Sequence, residues 1–115
     1  MINTKQRPVQ LNITDFEDKS LLILDDDDPL RGRLARAMEK KGFVVKEAKS
    51  VAEGLNIVKD KPPYFAVVDL RLEDGNGLDV IKELSKVKKD SRIVMLTGYG
   101  NLPTAVAAVK AGAID

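Results

Sequence analysis

Three short apolar stretches in this chain stop abruptly at an oxygen-bearing residue: Ser20 to Leu24 ends at Asp25, Tyr64 to Val68 at Asp69, and Ile93 to Leu96 at Thr97. Runs this short, with no polar alternation, suit strands buried on both faces of a parallel sheet. Phe43 to Val45 is a further run of the same kind. Between them the period changes to that of helices. Asp28 followed by Pro29 reads as a cap and first turn, and Leu30, Leu34 and Met38 then recur at helical spacing up to Gly42. Ser50 and Glu53 have capping-box spacing, Val51, Leu55 and Val58 form a stripe, and Pro62 and Pro63 close the unit. The loop Glu73-Asp74-Gly75-Asn76-Gly77 precedes a helix carrying Leu78, Ile81 and Leu84, and Gly98-Tyr99-Gly100 precedes a last helix through Leu102, Val106 and Val109 to Gly112. Strands alternating with helices through short loops predict a doubly wound α/β fold, because parallel neighbours need right-handed crossovers that place helices on both faces. Ligands of such folds sit beyond the carboxyl ends of the strands, and Asp25, Asp69 and Thr97 all fall at that edge.

Composition limits the chemistry open to this edge. With neither cysteine nor histidine, there is no thiolate nucleophile, disulfide or imidazole base, so reactions must run on carboxylates, hydroxyls and backbone. A net charge of +1 lacks the excess needed to grip a phosphate backbone, and Lys82, Lys86, Lys88 and Lys89 read as a solvated helix face. Hydrophobic residues at 43% and charged residues at 32% fit one globular core, and no apolar run approaches a membrane span, so the cytoplasm is the expected compartment. Residues 1–18 are polar and aperiodic and read as an extension, leaving 19–115 as the domain.

Asp25, Asp26 and Asp69 would crowd three carboxylates together, and such a cluster calls for a cation. Carboxylate and carbonyl oxygens are hard ligands, and Mg²⁺ takes one or two carboxylates while leaving room for phosphate oxygens. A carboxylate beside that ion can attack a phosphoryl donor, and Thr97 is placed to hydrogen-bond the transferred group. Other acids have plainer readings: Asp28 as the helix cap, Glu73 and Asp74 as solvated turn residues, with Asp27 left open between cap and ligand. Gly75-Asn76-Gly77 and Gly98-Tyr99-Gly100 lack a third glycine and read as turns, with Tyr99 a loop aromatic.

The segments Leu22-Ile23-Leu24-Asp25-Asp26-Asp27, Val67-Val68-Asp69-Leu70-Arg71-Leu72 and Val94-Met95-Leu96-Thr97-Gly98, in that order, resemble the receiver domains of bacterial two-component response regulators. Ala37 to Phe43, Asp69 to Leu78 and Leu96 to Gly100 are similar to the RegA/PrrA/ActR redox-responsive regulators of proteobacteria. The resemblance implies a flavodoxin/CheY-like fold, with Asp69 as phosphoacceptor and Thr97 on the phosphoryl group. It implies Asp26 as a direct Mg²⁺ ligand, Asp25 binding through water and Arg71 offering its backbone carbonyl. It further implies a sensor histidine kinase as donor, no enzymatic turnover beyond the receiver's own phosphorylation and dephosphorylation, and a helix-turn-helix effector that carries the DNA binding and is absent from this chain. Family members continue past the position of Asp115 into a fifth strand, a lysine that contacts the phosphoryl group, and a fifth helix. The expectation is therefore a C-terminally incomplete receiver in which Lys110 does not take that lysine's role. An uncovered fourth strand would then favour a homodimer or other self-association and lower stability.

Two rival readings remain. A receiver fold without that lysine would serve as a phosphorylation-incompetent interaction module. A haloacid dehalogenase-type phosphohydrolase would use Asp25 as nucleophile in its Asp-x-Asp motif, but this leaves Asp69 unexplained and lacks the enzyme's later acidic pair.

Overall fold

The computed structural model describes residues 18–96. Thr97, the Gly98–Gly100 turn, the last expected helix with Lys110, and the extension before Asp18 lie outside the described residues. Four parallel strands, β1 (Ser20–Leu24), β2 (Val44–Ala48), β3 (Phe65–Asp69) and β6 (Arg92–Leu96), form a sheet in the order β2-β1-β3-β6. Helices α1 (Asp28–Lys40), α2 (Val51–Asp60) and α3 (Leu78–Val87) make the crossovers. A short antiparallel hairpin, β4 (Arg71–Leu72) with β5 (Gly75–Asn76), stands where a plain loop is expected, directly after β3.

Side-chain alternation along β1 divides the core in two. Leu22 and Leu24 join Val51, Val58, Val80, Ile81, Leu84 and Ile93 under α2 and α3. Leu21 and Ile23 pack on the other face with Ala35, Leu34 and Met38 of α1. Both faces of this strand are therefore dry, which is why its sequence shows no polar alternation. Strand β2 behaves differently. It runs to Ala48, past the expected Val45, with Val44, Lys46 and Glu47 exposed, because it lies at the sheet edge and is held by pairing to β1 rather than by burial.

Helix ends explain the loop shapes around the acids. The cap of α1 is Asp27, not the expected Asp28: its carboxylate accepts from the Leu30 N–H at 3.0 Å, which places Asp28 and Pro29 inside the first turn. The helix closes at Gly42, whose φ of +104° suits glycine, with Gly42 N–H donating to the Glu39 carbonyl and Phe43 N–H to that of Met38. Ser50 caps α2 through the Glu53 N–H at 3.1 Å, but Glu53 reaches back to the N–H of Lys49 rather than to that of the cap residue. The Asp18 carboxylate accepts from Ser20 N–H and pairs with Lys88 Nζ at 3.2 Å. Lys88 lies past the end of α3, with its ammonium 5.9 Å from the centre of the Tyr64 ring, and so leaves the expected lysine face.

Candidate functional site

Strand register brings the first two acids together. Leu21 of β1 stands opposite Phe65 of β3 and Leu24 opposite Val68, so the next step in the same register sets Asp25 beside Asp69. Because side chains alternate, Asp25 and Asp69 continue the row of Leu21, Ile23, Phe65 and Val67, on the α1 face of the sheet. Asp26 comes in from the β1–α1 loop. One carboxylate oxygen from each of Asp25, Asp26 and Asp69 lies within 4.8 Å of the others. Asp25 is 2% exposed, Asp69 partly buried and Asp26 exposed, so the cluster grades from the dry end of the sheet to solvent.

Local hydrogen bonds fix the carboxylates. Asp25 Oδ1 accepts from the Asp27 N–H at 2.9 Å, and Asp69 Oδ1 accepts from the Arg71 N–H at 3.0 Å. Each acid thus turns the backbone just after its strand and keeps a second oxygen for another partner. At 4.8 Å two ionised carboxylates repel by about 3 kcal/mol at an effective dielectric of about 20, and less where water reaches Asp26. Burial, partly offset by the Arg71 N–H and reinforced by the charges of Asp25 and Asp26, pushes the Asp69 carboxyl above the usual carboxylate range. The Arg31 guanidinium is directed elsewhere: it ion-pairs with Asp28 and Glu47 and donates to the Asp25 backbone carbonyl.

A raised carboxyl sets the sign of a stability effect. Near pH 3 the group is protonated in both the folded and the unfolded chain and costs nothing. As pH rises through the ordinary value of 3.8, the unfolded chain ionises first and stability falls until the folded carboxyl ionises too. Asp69→Asn is therefore expected to melt roughly 4 °C higher than the native chain at pH 7 in chelator, a gain of about 1 kcal/mol after allowance for screening at the rim. At pH 3 the two should melt together, and equal midpoints at both pH values would show that Asp69 bears no electrostatic strain.

Two further residues, read from the sequence only as turn residues, shape this edge. Gly77 approaches the backbone of the acid strand so closely that a Cβ there would overlap the Asp69 carbonyl oxygen and lie 2.7 Å from Val68 Cγ1. Its φ of −58° is open to any residue, so the requirement is for space. Asp74, expected to be a solvated turn residue, is exposed but engaged. Its two carboxylate oxygens accept from the N–H groups of Val51 at 2.8 Å and Ala52 at 3.2 Å, which holds its carboxyl below the usual range and ties the hairpin after Asp69 to the start of α2. Glu73 is exposed, and Asn76 turns the chain into α3 by accepting from the Leu78 N–H at 2.8 Å. Arg71 opens the hairpin two residues after Asp69. Three hard carboxylate donors converging at one strand edge, one of them deeply buried, suit a divalent cation of the Mg²⁺ or Ca²⁺ type better than a soft transition metal. No helix among the described residues is long and apolar enough to cross a membrane.

A family model described as the response regulator receiver domain matches residues 21–115. The chain is 63% identical over 98 residues to the photosynthetic apparatus regulatory protein RegA of Cereibacter sphaeroides, covering 85% of this chain and 53% of RegA. It is 59% identical over 98 residues to the acid tolerance regulatory protein ActR of Rhizobium meliloti, covering 85% of this chain and 50% of ActR. It thus spans about half the length of the curated relatives it matches. Among solved structures it superimposes, with a TM-score of 0.78 and 41% identity over 84% of this chain and 56% of the other, on a Burkholderia pseudomallei response regulator crystallised with a phosphorylated aspartic acid, a calcium ion and citrate.

Proposed function

This chain belongs to the response regulator receiver family, in the branch of RegA and ActR, and from that premise we propose that it accepts a phosphoryl group on Asp69 in the presence of Mg²⁺. The observation that carries the reading is the convergence of Asp25, Asp26 and Asp69 within 4.8 Å at the carboxyl ends of adjacent strands. Asp26 would hold the ion directly, Asp25 through water, and Asp69 and the Arg71 carbonyl would complete the protein's share. When bound, the cation neutralises the carboxylates and the oxygens of the incoming phosphoryl group. Asp69 then supplies the chemistry. Its other carboxylate oxygen forms the new bond to phosphorus while the bond from phosphorus to the donor breaks, the donor being a phosphohistidine of a sensor kinase or acetyl phosphate. Its Oδ1 stays on the Arg71 N–H, which fixes the direction of attack. Thr97, next after β6, hydrogen-bonds the transferred group. The phosphorylated receiver, residues 19–115, switches a DNA-binding effector that governs redox-responsive transcription.

A hydrolase with Asp25 as nucleophile is poorly supported, because Asp25 is only 2% exposed, whereas Asp69 is partly exposed. Intact-mass measurement after incubation with acetyl phosphate and Mg²⁺ tests the reading. The native chain should gain one phosphoryl group, and both Asp69→Asn and a chelator should abolish it. A folded sample that gains nothing would leave the chain as an interaction module of receiver fold.

A further inference from the structure

The β1 ladder runs out just where the cation ligands begin. The Asp25 N–H still donates to the Ala48 carbonyl at 3.0 Å, but the Asp25 carbonyl accepts from a side chain: Arg31 Nη1, at 2.7 Å. That carbonyl lies in the same planar peptide unit as the Asp26 nitrogen, so whatever fixes it also fixes the direction in which the chain leaves Asp25 and enters Asp26. Arg31 is itself immobilised. Its Nη2 pairs with Asp28 at 2.7 Å and its Nε with Glu47 of β2 at 3.0 Å, and the side chain is only 14% exposed. A planar guanidinium with its three nitrogens on three partners has little freedom left, and the carboxylates of Asp28 and Glu47 offset its charge near an edge that collects cations.

We propose that Arg31 is a positioning residue for the acid cluster: by clamping the Asp25–Asp26 peptide it aims both carboxylates at the ion held with Asp69. This inference rests on the Mg²⁺ reading of the cluster above. A group one step removed from a metal commonly changes affinity by about 10–100-fold when lost, without touching the ion. A purely structural ion pair would instead lower stability and leave the affinity of the folded molecules alone.

The test is Mg²⁺ binding by titration calorimetry on the 115-residue chain, with unfolding midpoints in chelator measured alongside. Arg31→Gln is expected to weaken Mg²⁺ by about tenfold. Arg31→Lys, which keeps the charge but cannot serve three partners from one nitrogen, should weaken it by a smaller factor, and it decides the question if Arg31→Gln does not fold. Glu47→Gln removes an ion pair of Arg31 while sparing its bond to Asp25, and should lower the unfolding midpoint with Mg²⁺ affinity within about twofold of native. Native affinity in folded Arg31 variants, or equal weakening by Glu47→Gln, would overturn the proposal. Absence of Mg²⁺ binding by the native chain would overturn the cluster reading and this proposal with it.

Discussion

Gly77→Ala is expected to slow phosphoryl uptake from acetyl phosphate by on the order of a hundredfold and to lower stability by about 3 kcal/mol. The new methyl carbon would overlap the Asp69 carbonyl oxygen and press on Val68 Cγ1 at 2.7 Å, and neither the carbonyl nor a fully buried valine can swing away as a flexible side-chain tip would. Either α3 lifts from the sheet, which breaks the Gly77 N–H bond to the Leu70 carbonyl, or the end of β3 shifts and carries the Asp69 carboxylate with it. Misplacing a reacting group by about 1 Å is enough for a loss of this size. Initial rates of adduct formation by intact mass, with denaturant midpoints on the same protein, check both parts. A variant of native rate and stability would show that the loop absorbs the methyl group and that Gly77 does not set the position of the acceptor.

Leu84→Ala should have a comparable effect on stability and none on chemistry. Leu84 lies on α3, is fully buried, and belongs to the cluster that holds Val58, Val80 and Ile93 beneath the helices. Truncation removes buried methyl groups and leaves a cavity, at a cost of about 3 kcal/mol and a fall in melting temperature of roughly 15 °C. Leu84 packs on the sheet face opposite the row that carries Asp25 and Asp69, so the fraction still folded at low temperature should take up phosphoryl groups at the native rate. If Leu84→Ala slowed uptake per folded molecule as much as Gly77→Ala does, the distinction between core and acceptor loop would fail.

The fold was legible where burial is symmetrical and obscure where it is not. Strands β1 and β3 announce themselves because both faces are covered, while the continuation of β2 through Lys46 and Glu47 is invisible, since an edge strand is defined by its neighbour. Four successive aspartates, Asp25 to Asp28, mark the edge but do not set the cap's register. Only the structure shows that Asp27 caps and Asp28 instead pairs with Arg31. The three clustered acids could be picked out because each lies at or just after a strand end. Their supports could not, because Arg31 reaches Glu47 and Asp74 reaches Val51 across stretches of chain that no local pattern connects. Gly77 read as a turn glycine, since nothing in a single sequence shows how near another backbone comes.

The pairing of β1 with β3 joins positions 44 residues apart, as Leu21 with Phe65, and this separation orders events in time. Neither Asp25 nor Asp69 has its neighbour while the chain is being made, until the whole β1-α1-β2-α2-β3 stretch has emerged and its longest loop has closed. Long-range parallel pairing is the slow step in folds of this kind, and contacts made only after it act on the rate of unfolding. A cation gripped by these acids would therefore lengthen the lifetime of the finished domain without hastening its formation.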